Sequence, residues 1–349
     1  MMRYSALLLG LALCVGCGGN DSNPDDGSGG QAAQGTAPST GGAGSPEART
    51  YPIKAVATIG MVADIVRNVG GEHVDVTQLL GAGVDPHLYK ATRDDVQTFL
   101  QGDIIFYSGL MLEGKMSDTL IKVARQKPVI AVTEEIDEAK LLEPEDFEGH
   151  FDPHVWNDVS AWSDGVTAVA AALADFDPAH ADDYNASAEA YQKQLAALHE
   201  YGLKSLGSVP EASRVLITSH DAFNYFGRAY NLDVLGVQGL STESEAGLQR
   251  INDLIDLLVK NNVRAVFVES SVPRKNIEAL VEGARAKDHE VVIGGELFSD
   301  AMGEEGTYEG TYIGMLDHNI TLVARGLGGE APEGGMQGKL SHAGESSGQ

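Results

Sequence analysis

The feature that most constrains this fold is a regular alternation of short β-branched runs with helical patterns, interrupted once by a long stretch without strand signal. Residues 53–58, 74–79, 103–107 and 128–132 read as strands before the interruption; residues 214–218, 234–238, 264–268 and 290–293 read as strands after it. Between them lie helical patterns. Residues 61–69 stop at Gly70-Gly71, and 92–100 are followed by Gly102. Residues 248–260 place Leu248, Ile251, Leu254, Ile255 and Leu258 on one face, and 273–286 start with Pro. Strands alternating with helices predict mainly parallel sheets covered on both faces.

The interruption, from Ala179 to about Leu206, is rich in Ala, Glu, Gln, Lys and Leu, nearly all strong helix formers. A helix of about 28 residues there would be roughly 42 Å long, about one domain diameter. The expected class is therefore α/β, with two similar lobes joined by one long stiff helix. Each lobe is expected to carry a mainly parallel four-stranded sheet flanked by helices. The lobes are placed at residues 51–178 and 208–328, with the linking helix at 179–207.

Both ends look different from this body. Met1-Met2-Arg3-Tyr4 is a short positive start, and residues 5–16 form an apolar run too short to span a bilayer comfortably. The run ends in Val15-Gly16-Cys17, a small residue before a cysteine, as bacterial lipoprotein processing requires. Residues 1–17 are thus expected to be a lipoprotein signal with Cys17 as the lipid attachment point; an ordinary secretory signal cleaved elsewhere is the alternative. Residues 18–50 are Gly-, Ser-, Ala-, Asn- and Pro-rich with almost no large apolar side chain, the composition of a flexible tether. Residues 329–349 resemble them and are expected to be a disordered tail.

Composition narrows the chemistry. Lys plus Arg number 24 against 51 Asp plus Glu, a net charge of −27 that repels nucleic acid and anionic membrane surfaces. The only cysteines are Cys14 and Cys17, so the body has neither a disulfide nor a thiolate metal site. Any metal would be held by His, Asp or Glu.

Three of the ten histidines stand apart. His87 lies in Val84-Asp85-Pro86-His87-Leu88-Tyr89 and His154 in Phe151-Asp152-Pro153-His154-Val155-Trp156. Proline fixes the backbone ahead of each ring, and Asp85 or Asp152 is placed to orient a ring nitrogen. Either motif alone is equally an ordinary turn. His220 follows the apolar run at 215–218, and Asp300 follows another in Gly294-Gly295-Glu296-Leu297-Phe298-Ser299-Asp300. Open α/β sheets bind ligands outside the carboxyl ends of their strands, so these groups can converge; alone, Asp300 also reads as a helix cap. Three imidazoles and a carboxylate suit a borderline divalent ion and leave no evident position for catalytic water. Glu269 and Glu296 are further oxygen donors, Glu269 also a candidate to orient a ligand. His73, His180, His199 and His289 read as solvated surface. No phosphate-cradling loop, Gly-x-Ser-x-Gly elbow or His-Glu-x-x-His helix is present.

Four ordered blocks resemble one known family. They are Gly83-Val84-Asp85-Pro86-His87, Asp152-Pro153-His154-Val155-Trp156, Thr218-Ser219-His220-Asp221-Ala222-Phe223 and 294–303. The chain is similar, over about residues 54–326, to the cluster A-I metal-binding solute receptors of ABC transporters. This is the zinc/manganese or adhesin-lipoprotein family. The resemblance implies two α/β lobes on a rigid backbone helix, with a metal at their interface. His87 and His154 would come from one lobe, His220 and Asp300 from the other. It also implies delivery of the ion to a membrane permease, a monomeric receptor and a location in the cell envelope, periplasmic or extracytoplasmic. A histidine at 220, the Gly-Gly-Glu-Leu-Phe-Ser-Asp block and Val268-Glu269-Ser270-Ser271 look closest to the TroA type. The stretch at 134–150 is acidic but short, with only His150, unlike the His-rich loop of many zinc-dedicated relatives. Zinc is placed ahead of manganese, with iron behind. A metal-dependent hydrolase on the same ligands and a surface adhesin are the competing readings.

Overall fold

A computed structural model describes residues 50–144 and 149–340. The expected signal segment with Cys17, the expected tether up to residue 49, and residues 145–148 and 341–349 lie outside the described residues. In the first half, β1 (Ile53–Ala57), β2 (Val74–Gln78), β3 (Ile104–Tyr107) and β4 (Val129–Ala131) form one parallel sheet in the order β2-β1-β3-β4. Ile53, Ala55, Val56 and Ala57 are all buried, and so are Ile104, Ile105 and Phe106. Continuous burial is what helices on both faces of a parallel sheet require. The flanking helices are α1 (Gly60–Gly70), α2 (Arg93–Gln101) and α3 (Ser117–Ala124). Helix α2 starts at a reciprocal cap, in which Asp95 N–H donates to Thr92 Oγ1 and Thr92 N–H donates to Asp95 Oδ2.

Helices α4 (Val159–Phe176) and α5 (Ala181–Gly207) follow. The 27 residues of α5 match the expected linking helix. Its buried positions include Tyr184, Ala188, Tyr191, Leu195, Leu198 and Gly202, alternating spacings of four and three that make one apolar stripe. Gly202 lies against the Tyr230 ring, where a Cβ would come within 2.6 Å of that ring. Asp64 of α1 accepts hydrogen bonds from the Tyr191 hydroxyl and from the Tyr312 N–H at 3.2 Å, tying three helices together.

The second half contains β5 (Val215–Thr218), α6 (Asn224–Tyr230), β6 (Asp233–Gly236), α7 (Leu248–Lys260), β7 (Ala265–Glu269), α8 (Lys275–Arg285), β8 (Val292–Leu297) and α9 (Tyr312–Gly326). All its pairs are parallel, but the ladders are two, β5-β6 and β7-β8, rather than the expected single four-stranded sheet. Apolar runs mark where strands form, whereas edge pairing is decided by tertiary packing. The β7-β8 ladder itself shifts register between Val266 and Phe267, where Gly294 and Gly295 make room for Phe267 and Leu322. Helix α7 coincides with its expected span, but Leu248 at its first position is 81% exposed, so the buried face begins further on.

The two halves share a core. Phe223, Tyr225, Phe226, Phe267, Tyr312 and Leu316 from the second half join one apolar cluster with β1, β3 and α1 of the first. A second cluster lies under α7 and α8, around Ile217, Leu254, Leu258, Val266, Val268 and Leu280.

Residues 329–340 are not the unstructured tail expected from composition. Gly329 N–H donates to Ala324 O at 2.7 Å, Met336 N–H to Asp317 Oδ1 at 2.8 Å, and Leu340 is 7% exposed. The buried Asp317 needs donors, and Tyr308 supplies another at 2.8 Å. The glycines that looked like a linker work as turns: Gly335 has φ 73°, and a Cβ there would come within 2.5 Å of the Asp317 carboxylate.

Candidate metal centre

Each candidate side chain is positioned by the backbone just outside a regular element. His220 follows β5, where the Thr218 hydroxyl donates to His220 O at 2.8 Å and shapes the turn. Glu269, the last residue of β7, accepts the His220 N–H at 2.9 Å through Oε1 and faces ring Nδ1 at 2.5 Å through Oε2. Asp152 does the same for His154, accepting its N–H at 2.9 Å and facing Nδ1 at 2.7 Å. In both cases Nδ1 is engaged and Nε2 turns inward, the arrangement that fixes an imidazole for coordination. Asp85 accepts the His87 N–H at 2.8 Å. Asp300 lies three residues beyond β8, next to Ser299, whose carbonyl accepts the Trp156 indole N–H at 2.9 Å.

These four side chains come together. One ligand atom from each of His87, His154, His220 and Asp300 lies within 4.8 Å of the others, and all four residues are buried. His87 Nε2 and His154 Nε2 are 3.2 Å apart. Asp300 Oδ1 lies 3.5 Å from His154 Nε2, while Oδ2 lies 3.3 Å from His220 Nε2 and 3.9 Å from His87 Nε2. His220 Nε2 and both Asp300 oxygens nevertheless lack hydrogen-bond partners. Buried polar atoms without partners are costly, and a cation between three imidazoles and a carboxylate satisfies all of them at once. The donor set therefore suits one borderline divalent ion.

The electrostatics are divided within the cluster. Burial pushes the His87 imidazole down to about 3, against the opposing pull of Asp300. Burial acts the same way on His220, but the Asp300 and Glu269 carboxylates outweigh it and hold that ring well above the usual range. Burial disfavours the Asp300 carboxylate, yet the imidazoles, His220 foremost, hold it below the usual range.

The supporting acids divide unevenly. Asp152 and Glu269 contact ring nitrogens as expected. Asp85 contacts the backbone of His87, and its other oxygen accepts from the Thr242 hydroxyl at 2.5 Å instead of facing the ring. Glu296 is exposed, because β8 turns its side chain outward, and it is not part of the cluster. His73 and His180, expected as separate solvated residues, are half-buried and stack on each other at 3.9 Å. Thr242 and Asn224, whose amide reaches Asp152 Oδ2 at 3.1 Å, were not anticipated. Both are polar loop or helix-start residues far along the chain from the acids they touch, and nothing in their local sequence marks them.

A family model described as zinc-uptake complex component A, periplasmic (ZnuA), matches residues 55–326. The chain belongs to this family. The resemblance read from the four motif blocks thus extends over nearly the whole folded body, and the segment 329–340 lies beyond it. The chain is 48% identical over 275 residues to the manganese-binding lipoprotein MntA of Bacillus subtilis (strain 168), covering 79% of this chain and 90% of that relative. It is 46% identical over 272 residues to the zinc-binding protein TroA of Treponema pallidum (strain Nichols), covering 78% and 88%. The solved structure of the periplasmic zinc-binding protein TroA from Treponema pallidum aligns with a TM-score of 0.76 at 45% identity, over 79% of this chain and 99% of that one.

Proposed function

We propose that this protein is the extracytoplasmic solute-binding component of a metal ABC transporter. It captures one divalent transition metal ion with His87, His154, His220 and Asp300 and delivers it to the membrane permease. The observation that carries this reading is the convergence of four buried donors, from four separate stretches of chain, within 4.8 Å. Relatives named as a manganese-binding lipoprotein, a zinc-binding protein and a metal ABC transporter substrate-binding lipoprotein support it. The cargo is zinc or manganese, with iron behind.

The protein carries its metal rather than using it in catalysis. A hydrolase would need a free base beside the ion. Glu269 is committed to two nitrogens of His220, and Glu296 is exposed outside the cluster. The receptor acts as a monomer on a lipid anchor at Cys17, with residues 18–50 as the leash. Residues 51–178 and 208–328 serve as lobes about the linking helix at 179–207.

Calorimetry on the chelator-treated mature protein near pH 7.5 tests this function. One equivalent of zinc or manganese should bind and raise the melting temperature in proportion to RT ln(1 + [L]/Kd). The absence of a stoichiometric site for either ion would contradict the reading.

A further inference from the structure

Among the described residues, a cleft of about 520 Å³ that reaches the surface is lined by His87, but not by His154, His220 or Asp300, together with Leu110, Met111, Pro153, Leu240 and Glu243. The segment 237–247, between β6 and α7, lies along one side of this cleft. At its root it is bound to the His220 turn: Val237 N–H donates to Thr218 O and Gln238 N–H to Ser219 O, both at 3.0 Å, and Asp221 N–H donates to Gly239 O at 3.3 Å. At its tip it crosses to the other half of the molecule. The Thr242 hydroxyl donates to Asp85 Oδ2 at 2.5 Å, and Glu243 pairs with Lys115 at 3.6 Å. Asp85 Oδ1 meanwhile holds the His87 N–H at 2.8 Å. One strap therefore joins the turn that carries His220 to the carboxylate that fixes His87.

The opposite lip is built differently. Gly109, Leu110 and Met111 have φ values of 101°, 49° and 65°, and the buried Glu113 carboxylate accepts the Ser108 and Gly109 N–H groups beneath them. A turn over-determined in this way is a fixed wall. The strap has only Thr242 and Glu243 as contacts of this kind across the cleft among the described residues, and the Lys115–Glu243 pair, with its carboxylate exposed, contributes little by itself.

We propose that the 237–247 strap governs metal exchange through the His87 side of the site, and that Thr242 is a positioning residue acting on His87 through Asp85. This rests on the metal-receptor reading above. With the Thr242 bond made, Asp85 is held from both sides and His87 stays aimed at the ion. With it broken, Asp85 is free to swing and His87 becomes the first ligand to leave.

The test is stopped-flow release of zinc from the loaded protein into an excess of chromophoric chelator, at chelator concentrations where the rate has levelled off. Thr242→Val should release zinc roughly tenfold faster, the scale seen when a partner of a ligating histidine is removed. Thr242→Ser, which keeps the hydroxyl, should stay within about twofold of the parent protein. Both should still bind one equivalent and melt, metal-free, at the parent temperature. Lys115→Met should give a smaller acceleration that disappears at high salt. Equal release from Thr242→Val and the parent protein, or Thr242→Ser as fast as Thr242→Val, would overturn the strap while leaving the metal site standing. A parent protein that binds no zinc or manganese would overturn both.

Discussion

Glu269 grips His220 at two points, its backbone N–H at 2.9 Å and its ring Nδ1 at 2.5 Å, although the two residues are 49 positions apart. The pair joins the ends of β5 and β7 and leaves His220 only one nitrogen with which to face Asp300. Replacing Glu269 with Gln removes the charge while keeping the shape. Metal affinity should fall about 10- to 100-fold with the stoichiometry still one, measured by competition with a chelator of known affinity. An unchanged affinity would mean that the carboxylate merely braces the turn.

His220→Ala should go further and abolish stoichiometric binding at micromolar metal, because it removes one donor of four from a buried site. The metal-induced rise in melting temperature should vanish with it. A variant that keeps its full thermal shift would place the ion elsewhere.

Metal binding should release protons. Burial alone would lower His220, but the Asp300 and Glu269 carboxylates outweigh it and raise it, so the metal-free ring holds its second proton more tightly than an ordinary imidazole and the ion must compete with that proton. His87, pushed down to about 3, is already uncharged at neutral pH and releases none. The raised His220 value stabilises the metal-free fold fully below about pH 6.5, and that contribution fades as pH climbs through the raised value. Both effects strengthen metal binding as pH rises. Calorimetry in buffers of different ionisation enthalpy, between about pH 6 and 8, should find net proton release on metal binding. Affinity that stays flat across this range would contradict the assignment.

Asp64→Ala should destabilise the fold without touching the site. It leaves the buried Tyr191 hydroxyl and Tyr312 N–H without their acceptor at the crossing of α1, α5 and α9. The expected loss is about 2–4 kcal/mol in urea unfolding of the metal-free protein, with stoichiometry unchanged.

Local pattern carried much of this molecule. The β-branched runs marked seven of the eight strands among the described residues closely; the eighth, expected at 290–293, runs instead over Val292–Leu297 through Gly294 and Gly295, while α7 fell on its expected span because its apolar residues recur at helical spacing. The convergence of His87, His154, His220 and Asp300 was legible because each follows a strand or a proline that fixes the chain ahead of it. What escaped depended on distant partners. The failure of β5-β6 and β7-β8 to merge into one sheet reflects packing, not propensity. The ordering of 329–340 needed Asp317, a buried acceptor in α9 that composition does not reveal. Thr242 reaches Asp85 across 157 positions, and a lone threonine in a polar loop carries no sign of its partner.

The most direct measurement is anomalous diffraction from crystals of the metal-loaded protein, recorded at the absorption edge of the bound ion. The account predicts a single strong peak about 2.0–2.2 Å from Nε2 of His87, His154 and His220 and from the Asp300 carboxylate. A peak elsewhere, or none at that position in crystals shown by elemental analysis to contain one equivalent of metal, would contradict it.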